Sequence, residues 1–307
     1  MRKLVILSGK GGTGKTTIVG ALAALWRTVI MVDCDVDASN LHLITNPITV
    51  EEHSFVATRK AHIDNTLCTD CGICADYCRF DAIHYDPDLA ASGGVSYRLD
   101  QLSCEGCGLC VHLCPVAAIE LQMEKTGEWY LSRTSFGPLV HGRLLPAQGN
   151  SGQLVTLLRE RANEIPDRGR FAVTLMDGPP GIGCQTIASL TGTDFALLVT
   201  EPSKSAFHDL QRVVDLTRHF GIPSGICINK CDLNEDLSAG IEDYANSQGL
   251  KVLGRLTYDR SVSQAQVGRQ TIVEFANSKL LQQVRSLHES LTDALSSLDA
   301  ERRIEAG

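Results

Sequence analysis

The stretch SGKGGTGKTT, residues 8–17, lies between an apolar run at Leu4–Leu7 and an alanine-rich segment over Thr16–Trp26. It contains the pattern G-x-x-x-x-G-K-[ST]. With a strand before it and a helix after it, such a loop cradles phosphate oxygens with its backbone N–H groups. Lys15 is expected to reach the β- and γ-phosphates, and Thr16 to ligate Mg²⁺. The predicted nucleotide-binding residues of the loop are Gly9, Gly11, Gly12, Thr13, Gly14, Lys15, Thr16 and Thr17.

Continuous apolar runs recur along the rest of the chain, at Val29–Val32, Phe171–Met176, Phe195–Thr200, Gly225–Ile228 and Lys251–Leu256. Strands covered by helices on both faces of a parallel sheet need runs of this kind rather than alternating patterns. Helices are predicted at Lys204–Phe220, Glu235–Gln248 and Ser278–Leu298. The fold class is therefore predicted to be α/β, a P-loop NTPase with a mostly parallel, doubly wound sheet.

Composition restricts the class of protein further. The 307 residues are 43% hydrophobic and 21% charged, with a net charge of −8, which argues against nonspecific nucleic-acid binding. No apolar run is long enough to span a bilayer, and Leu4–Leu7 is interpreted as a strand rather than a signal peptide. Without an export signal, 12 cysteines suggest thiolate ligands in a reducing cytoplasm, so we expect a cytoplasmic protein.

Eight of the cysteines form two runs with the same spacing, C-x-x-C-x-x-C-x-x-x-C. The runs are Cys68, Cys71, Cys74, Cys78 and Cys104, Cys107, Cys110, Cys114. This spacing is the bacterial pattern for a pair of [4Fe–4S] clusters, in which the fourth cysteine of each run ligates the other run's cluster. Zinc is the first competitor, but zinc ribbons use two separated C-x-x-C pairs for each metal. The runs predict an insert over residues 59–122, between ATPase segments 1–58 and 123–307.

Charge is concentrated in the predicted insert. Residues 60–122 carry three Lys or Arg and nine Asp or Glu, a net charge of −6. An acidic surface around a redox centre favours docking on a basic patch of a redox partner protein. The alternative is that these carboxylates only keep the insert soluble.

Polar motifs follow three of the predicted strands. Asp33 and Asp35 come directly after Val29–Val32, at the end of the sheet where Mg²⁺ and an attacking water must be managed. A D-x-x-x-G pattern begins at Asp177, after another strand. Asn229–Asp232 reads N-K-x-D, which in GTPases selects guanine through the aspartate, although Asn and Asp also favour plain turns.

The motif K-G-G-x-G-K-T-T at residues 10–17 resembles the deviant Walker A of the MinD/ParA/Mrp/nitrogenase-iron-protein class of ATPases. The resemblance implies that Lys10 is a signature lysine that crosses a dimer interface to the partner's nucleotide. The active form would then be a homodimer, or a heterodimer with a similar ATPase. It further implies that Asp33 and Asp35 manage Mg²⁺ and water, with Asp35 orienting the water.

The same resemblance assigns roles to the later motifs. It identifies Asp177 as the Walker B residue that holds a Mg²⁺-bound water and the Gly181 N–H as a sensor of the γ-phosphate. Asn229 is implied to contact the base of ATP, while Asp232 keeps GTP as a minor alternative. The catalytic residues implied are Lys10, Lys15, Asp35 and Asp177.

Over about fifty residues the insert resembles bacterial two-cluster ferredoxins. The resemblance implies one cluster held by Cys68, Cys71, Cys74 and Cys114, and a second held by Cys104, Cys107, Cys110 and Cys78. One departure is that Arg79 follows the first run where the pattern has proline, whereas Pro115 follows the second. As a whole, the chain resembles MinD-superfamily ATPases that contain an inserted ferredoxin domain.

Three functions are compatible with this resemblance. ATP could gate electron transfer from the clusters to a partner, which we favour because eight ligands in ferredoxin spacing suit a permanent redox centre. The protein could instead assemble or carry Fe–S clusters, as Mrp-like proteins do, or act as a redox-sensing positioning switch. The segment from Asn277 carries four Lys or Arg and five Asp or Glu, so no MinD-type membrane anchor is expected.

Overall fold

The computed structural model describes residues 1–91, 95–146, 148–275 and 279–305. They form two compact units. The first comprises Met1–His53, Trp129–Arg143 and the residues from Ser151 onward, and the second comprises Ser54–Glu128 and Leu144–Asn150. The predicted insert, 59–122, lies within the second unit.

The strands, in chain order, are β1 (Arg2–Ser8), β2 (Val29–Asp33), β3 (Ile48–Ile63), β4 (Ile83–Tyr85), β5 (Tyr97–Leu99), β6 (Ile119–Thr134), β7 (Gly137–Leu144), β8 (Val173–Pro180), β9 (Phe195–Thr200), β10 (Ser224–Asn229) and β11 (Lys251–Leu256). The helices are α1 (Lys15–Trp26), α2 (Leu41–Thr45), α3 (Ile73–Asp76), α4 (Pro87–Ala91), α5 (Leu109–Leu113), α6 (Ser151–Glu164), α7 (Cys184–Leu190), α8 (Lys204–His219), α9 (Glu235–Ser247), α10 (Ser261–Val267), α11 (Ile272–Phe275) and α12 (Lys279–Glu305). Ser278, the predicted start of the last helix, lies outside the described residues.

A mostly parallel sheet organises the first unit. Within the described residues the strand order of the sheet is β11-β10-β9-β1-β8-β2-β7-β6-β3, and β3 and β6 also contribute residues to the second unit. β1 pairs in parallel with β8 and β9, and β2 pairs in parallel with β7 and β8. The prediction of an α/β fold with a mostly parallel sheet is therefore confirmed.

Two sequence predictions about strands need correction. β8 starts at Val173 and runs on to Pro180, so Asp177 lies inside a strand rather than in the turn after it. The extension follows from pairing, because Asp177 and Pro180 stand in register with Ile6 and Ser8 of β1. β11 was predicted to be buried, but as the last strand of the sheet it keeps Lys251 and Arg255 exposed.

The core of the first unit lies around α1. All of the side chains from Ile18 to Ala24 are at most 9% exposed, although the sequence around them is mostly alanine and other small residues. α12 packs four leucine and valine side chains into the same region, each at most 4% exposed: Leu280, Val284, Leu287 and Leu291. Burial on this scale stabilises the fold because each apolar side chain removed from water contributes about 1.5–3 kcal/mol.

Candidate functional site

The phosphate loop joins the end of β1 to the start of α1. Gly14 precedes the helix in a left-handed conformation, φ 93°, and a Cβ there would lie 2.4 Å from the Asn229 Nδ2. No side chain caps the N-terminus of α1, and its first turn contains no acidic residue. The unpaired N–H groups and the positive end of the helix dipole are therefore available to an anion such as a phosphate.

Two carboxylates stand side by side behind the loop. Asp33 of β2 and Asp177 of β8 are paired in register, and their side chains are 0% and 1% exposed. Burial raises the pKa of Asp177 well above its usual range, and the neighbouring Asp33 raises it further. Burial also raises the pKa of Asp33, to about 6. The pair thus forms a buried acidic site at the carboxyl end of the central strands.

The hydrogen bonding of the two carboxylates differs sharply. Asp33 Oδ1 accepts from Asp35 N at 3.2 Å, and its Oδ2 accepts three bonds, from Ser39 Oγ, Asn40 N and Leu41 N, at 2.8, 3.1 and 3.1 Å. Neither oxygen of Asp177 accepts a well-formed hydrogen bond from a group in the described part of the chain, although the nearby Thr16 hydroxyl lowers the pKa of this carboxyl slightly against the effect of burial. Buried carboxylates are normally hydrogen-bonded or bound to a metal. Asp177 therefore offers free ligand atoms for a cation.

Lys15 and Asp35 complete the charged surroundings of this site. The Lys15 side chain is only 7% exposed, and burial lowers its pKa while Asp177 opposes the shift. Asp35 is half-buried, and burial raises its pKa against the attraction of Lys15. The Thr16 hydroxyl bonds to Asn40 Oδ1 at 3.1 Å. The structure thus brings Lys15, Thr16, Asp33, Asp35 and Asp177 together.

The resemblance implies that the Gly181 N–H and the Asn229 side chain contact the nucleotide. In the structure both groups donate hydrogen bonds to residues 8–17 instead. The Gly181 N–H donates to Ser8 O at 2.9 Å, and Asn229 Nδ2 donates to Thr13 O at 2.7 Å. Asp232 Oδ1 accepts from Tyr258 N at 2.7 Å. In this conformation all three residues hold loops in place.

Sequence reasoning missed part of this region. A cavity of about 250 Å³ adjoins the phosphate loop, and its lining includes Thr17, Asn229, Tyr258, Asp259 and Gln266. Gln266 donates to the Thr17 hydroxyl at 3.0 Å. Its place beside the loop and its mixed polar and apolar lining suit the base and ribose of a nucleotide. The residues after β11 carry no motif, so only the fold brings them here.

Lys10 is bound within its own chain. Its Nζ lies 2.7 Å from Glu201 Oε1 and also bonds to Ser203 Oγ at 3.2 Å. The second Glu201 oxygen lies 2.8 Å from Lys230 Nζ, which also donates to Gly12 O at 3.0 Å. Burial alone would raise the pKa of Glu201, but the bonds from the two lysines outweigh it and lower the pKa. Neither Glu201 nor Lys230 was singled out from the sequence.

The second unit contains an internal two-fold repeat with an interval of 36 residues, from Cys68 to Cys104. Three matched pairs of positions share left-handed backbones with nearly equal φ values: Asp70 and Gly106 at 56° and 62°, Gly72 and Gly108 at 75° and 77°, Asp81 and Ala117 at 50° and 52°. Gly106 is also required sterically, because a Cβ there would lie 1.9 Å from Arg59 O. α3 and α5 begin directly after Gly72 and Gly108.

Hydrogen bonds in the repeat cross between its halves. Asp64 N donates to Ala118 O and Asp100 N donates to Ala82 O, each at 2.7 Å. Ala82 and Ala118 in turn donate N–H bonds to the sulfurs of Cys78 and Cys114, at 3.4 and 3.2 Å. The last cysteine of each run therefore lies beside the segment that leads into the other run.

The cysteines share a small apolar interior. A cavity in the second unit is lined by Cys74, Cys78, Cys104, Cys107 and Cys110, that is, by residues of both runs. Burial raises the pKa of Cys74 to about 11, and the thiols of Cys68, Cys110 and Cys71 add to the shift. As the side chains stand, no group of three or more His, Cys, Asp or Glu in the described ranges is gathered around one metal position. The departure at Arg79 is accommodated by stacking of its guanidinium on Phe80, 5.0 Å from the ring centre.

A parallel sheet with a glycine-rich loop on its central strand, a helix N-terminus and buried carboxylates defines a P-loop nucleotide-binding protein. Residues 4–272 match the sequence profile of the CobQ/CobB/MinD/ParA nucleotide-binding domains, so the chain belongs to this family and contains a MinD/ParA-like ATPase domain. The predicted resemblance is thereby confirmed for the nucleotide-binding part. No helix among the described residues is long and apolar enough to cross a membrane.

Known proteins resemble the chain over nearly its whole length. An uncharacterized protein of Methanocaldococcus jannaschii is 29% identical over 294 residues, which cover 95% of this chain and 96% of that protein. The cell division ATPase MinD of Pyrococcus furiosus superposes with a TM-score of 0.57 at 16% identity, covering 96% of this chain and 100% of MinD. MinD of Pyrococcus horikoshii, in complex with Mg-ADP, gives a TM-score of 0.56 at 17% identity, with 97% and 99% coverage. At these identities the two MinD structures establish the shared fold.

Proposed function

We propose that the chain is an ATP-hydrolysing iron–sulfur protein in which a MinD/ParA-like ATPase is coupled to electron transfer through two [4Fe–4S] clusters. The observation that carries the proposal is that one chain joins a P-loop unit to two cysteine runs related by an internal two-fold repeat. We assign the nucleotide to residues 1–58 and 123–307 and the clusters to residues 59–122. The redox partner would be a protein with a basic patch, because the cluster segment is acidic.

The phosphate loop would bind MgATP. Lys15 and the N–H groups at the start of α1 would hold the phosphates, while Thr16 and the free oxygens of Asp177 would surround Mg²⁺. Bound Mg²⁺ supplies positive charge that neutralises the phosphate oxygens during transfer. Asp33 would support this site by holding the turn over residues 35–41, since its oxygens are already engaged there. MinD of P. horikoshii binds Mg-ADP on the same fold.

Hydrolysis would use Asp35 and Lys10. Asp35 lies close enough to Lys15 for their charges to interact, and its half-buried carboxylate would orient the attacking water. Lys10 would stabilise the phosphate charge of a partner's nucleotide after leaving Glu201, in a homodimer or in a heterodimer with a similar ATPase. The cavity beside Tyr258 would take the base, which leaves Asn229 and Asp232 to position its walls.

Each cysteine run would supply three ligands to its own cluster and its last cysteine, Cys78 or Cys114, to the other cluster. The crossed hydrogen bonds support this exchange, because Cys78 lies beside the approach to Cys104 and Cys114 lies beside the approach to Cys68. The two N–H···S bonds are also of the kind that stabilises a ligating thiolate and tunes its cluster. When bound, each cluster supplies a site that accepts and releases one electron.

Anaerobic reconstitution tests the proposal. The purified full chain should take up iron and sulfide for two [4Fe–4S] clusters, and EPR-monitored redox titrations should give different midpoint potentials with MgADP and with MgATP. The matched control is Lys15→Ala, which should keep its iron but lose the response to nucleotide. Equal potentials with both nucleotides, and no ATP-dependent reduction of a partner, would contradict the coupling. Release of clusters to an apo-acceptor protein would instead favour a role in cluster assembly.

A further inference from the structure

The two halves of the cysteine repeat differ in charge. Lys60 of β3 is 6% exposed, and its Nζ donates to Gln101 O at 2.6 Å and to Cys104 O at 2.8 Å. No carboxylate in the described part of the chain lies within salt-bridge distance of this ammonium. A buried cation without a counter-ion therefore stands at the entrance to the second run.

The matched position in the other half carries no charge and contacts a carboxylate instead. Ser96 occupies the place that corresponds to Lys60, and its N and Oγ both donate to the carboxylate of Asp70, at 2.8 Å each. Asp70 lies between Cys68 and Cys71, whereas its own counterpart, Gly106, carries no charge. The first run thus begins at a carboxylate and the second at an ammonium.

From this asymmetry, and on the basis of the proposed function, we propose that Lys60 gives the cluster of the second run the higher reduction potential, so that it takes the first electron. Each cluster with its four thiolates gains one electron, and one negative charge, from a one-electron donor. A nearby cation stabilises the more negative, reduced state, and a nearby carboxylate destabilises it. Lys60 would act on the cluster through its positive charge, without ligating it.

Burial decides which charges matter most. Glu105 is also acidic and lies in the second run, but its side chain is exposed, as is that of Asp70. Water and salt screen exposed charges strongly, whereas a buried charge is screened much less. The effect of Lys60 should therefore outweigh that of Glu105, and it should be larger than the opposing effect of Asp70 on the first run.

An EPR-monitored redox titration of the reconstituted full chain, with dithionite as the electron donor, tests this assignment. The unsubstituted protein should show two one-electron steps. Lys60→Gln should lower only the higher midpoint, with at least a tenfold change in the reduced-to-oxidised ratio at fixed potential, which corresponds to about 59 mV. Lys60→Arg should retain the higher midpoint. Lys125→Gln, which removes an exposed lysine from the same unit, should change neither step.

If Lys60→Gln loses its clusters, Asp70→Asn provides a second, independent test, because Asp70 lies on the surface. It should raise only the lower midpoint. The inference is overturned if Lys60→Gln shifts both steps equally, shifts the lower one, or shifts neither, or if Asp70→Asn leaves the lower step unchanged. Failure of the unsubstituted chain to bind two clusters would overturn the proposed function itself, a different result from clusters that bind but do not respond to Lys60.

Discussion

At the scale of single residues, the two carboxylates behind the phosphate loop lie next to each other but differ in the hydrogen bonds that they accept. Asp33 and Asp177 both follow apolar runs, and the structure places them side by side on paired strands. The sequence does not predict that Asp33 accepts four hydrogen bonds while Asp177 accepts no well-formed one, because the donors to Asp33 lie in a turn of irregular backbone. Asp177 is thus left as the carboxylate with free oxygens.

Substitution of Asp177 should separate stability from function. Asp177→Asn should raise the free energy of unfolding of the nucleotide-free protein by about 1 kcal/mol, because it removes a buried carboxylate that has no partner. The variant should also lose most of the thermal stabilisation that MgATP gives the unsubstituted protein. Chemical denaturation and thermal melts with and without MgATP measure the two effects.

Asp33→Asn is the matched control for this prediction. Its amide NH₂ would face backbone N–H groups that now donate to Asp33, so unfolding should become easier by about 2 kcal/mol. Equal destabilisation by both substitutions would contradict the distinction drawn between the two carboxylates.

At the scale of elements, apolar runs predicted most of the parallel sheet but missed the long strands β3 and β6. Residues 48–54 of β3 are all exposed, so no buried face imposes a hydrophobic pattern on that segment. α6 was missed as well, since four buried side chains in 14 residues leave a weak apolar stripe. By contrast, the repeated spacing of the cysteine runs is accompanied by a repeat in backbone conformation, with similar φ values at three pairs of matched positions.

A stack of rings links three elements of the first unit and should make its stability depend on pH. His141 of β7 stacks on His42 of α2 and on Tyr130 of β6, with ring centres 5.5 and 5.1 Å apart. Burial lowers the pKa of His141 to about 4, and His42 lowers it further. The folded protein therefore favours neutral His141. Its contribution is complete above pH 6.5 and is lost as the pH falls from 6.5 towards 4, by on the order of 3 kcal/mol.

His141→Phe should flatten this part of the pH profile. Phenylalanine keeps the stacked ring but cannot be protonated, so unfolding free energies measured between pH 4 and 7 should decline less than in the unsubstituted protein. The hydrogen bond between Ser132 Oγ and His141 Nε2 is lost, which lowers the values at all pH by about 1 kcal/mol. Replacement of His208, whose side chain is 72% exposed, should leave the profile close to the original. An unchanged slope in His141→Phe would refute the assignment.

At the scale of the whole molecule, the proposed dimer requires Lys10 to exchange one partner for another. Within its chain Lys10 is held by Glu201, which also binds Lys230 at the phosphate loop. A lysine that reaches a second subunit must first give up this ion pair, so the pair opposes dimer formation. Partly exposed ion pairs contribute up to about 1 kcal/mol, enough to change a dimerisation constant several-fold without preventing assembly.

Removal of the charge of Glu201 should therefore favour the ATP-bound dimer. We expect Glu201→Gln to lower the dimer dissociation constant in MgATP about two- to fivefold, as measured by light scattering or sedimentation, because Lys10 is released at lower cost. Lys10→Ala should abolish both the ATP-dependent dimer and hydrolysis, and Glu242→Gln, which removes a surface ion pair with Arg255, should change neither.

If Glu201→Gln instead weakened the dimer, Glu201 would support assembly, for example by holding Lys230 against Gly12. The two results distinguish two roles of Glu201. If Glu201 mainly holds Lys10 within its own chain, removal of the carboxylate strengthens the dimer; if it mainly holds Lys230 against the phosphate loop, removal does not.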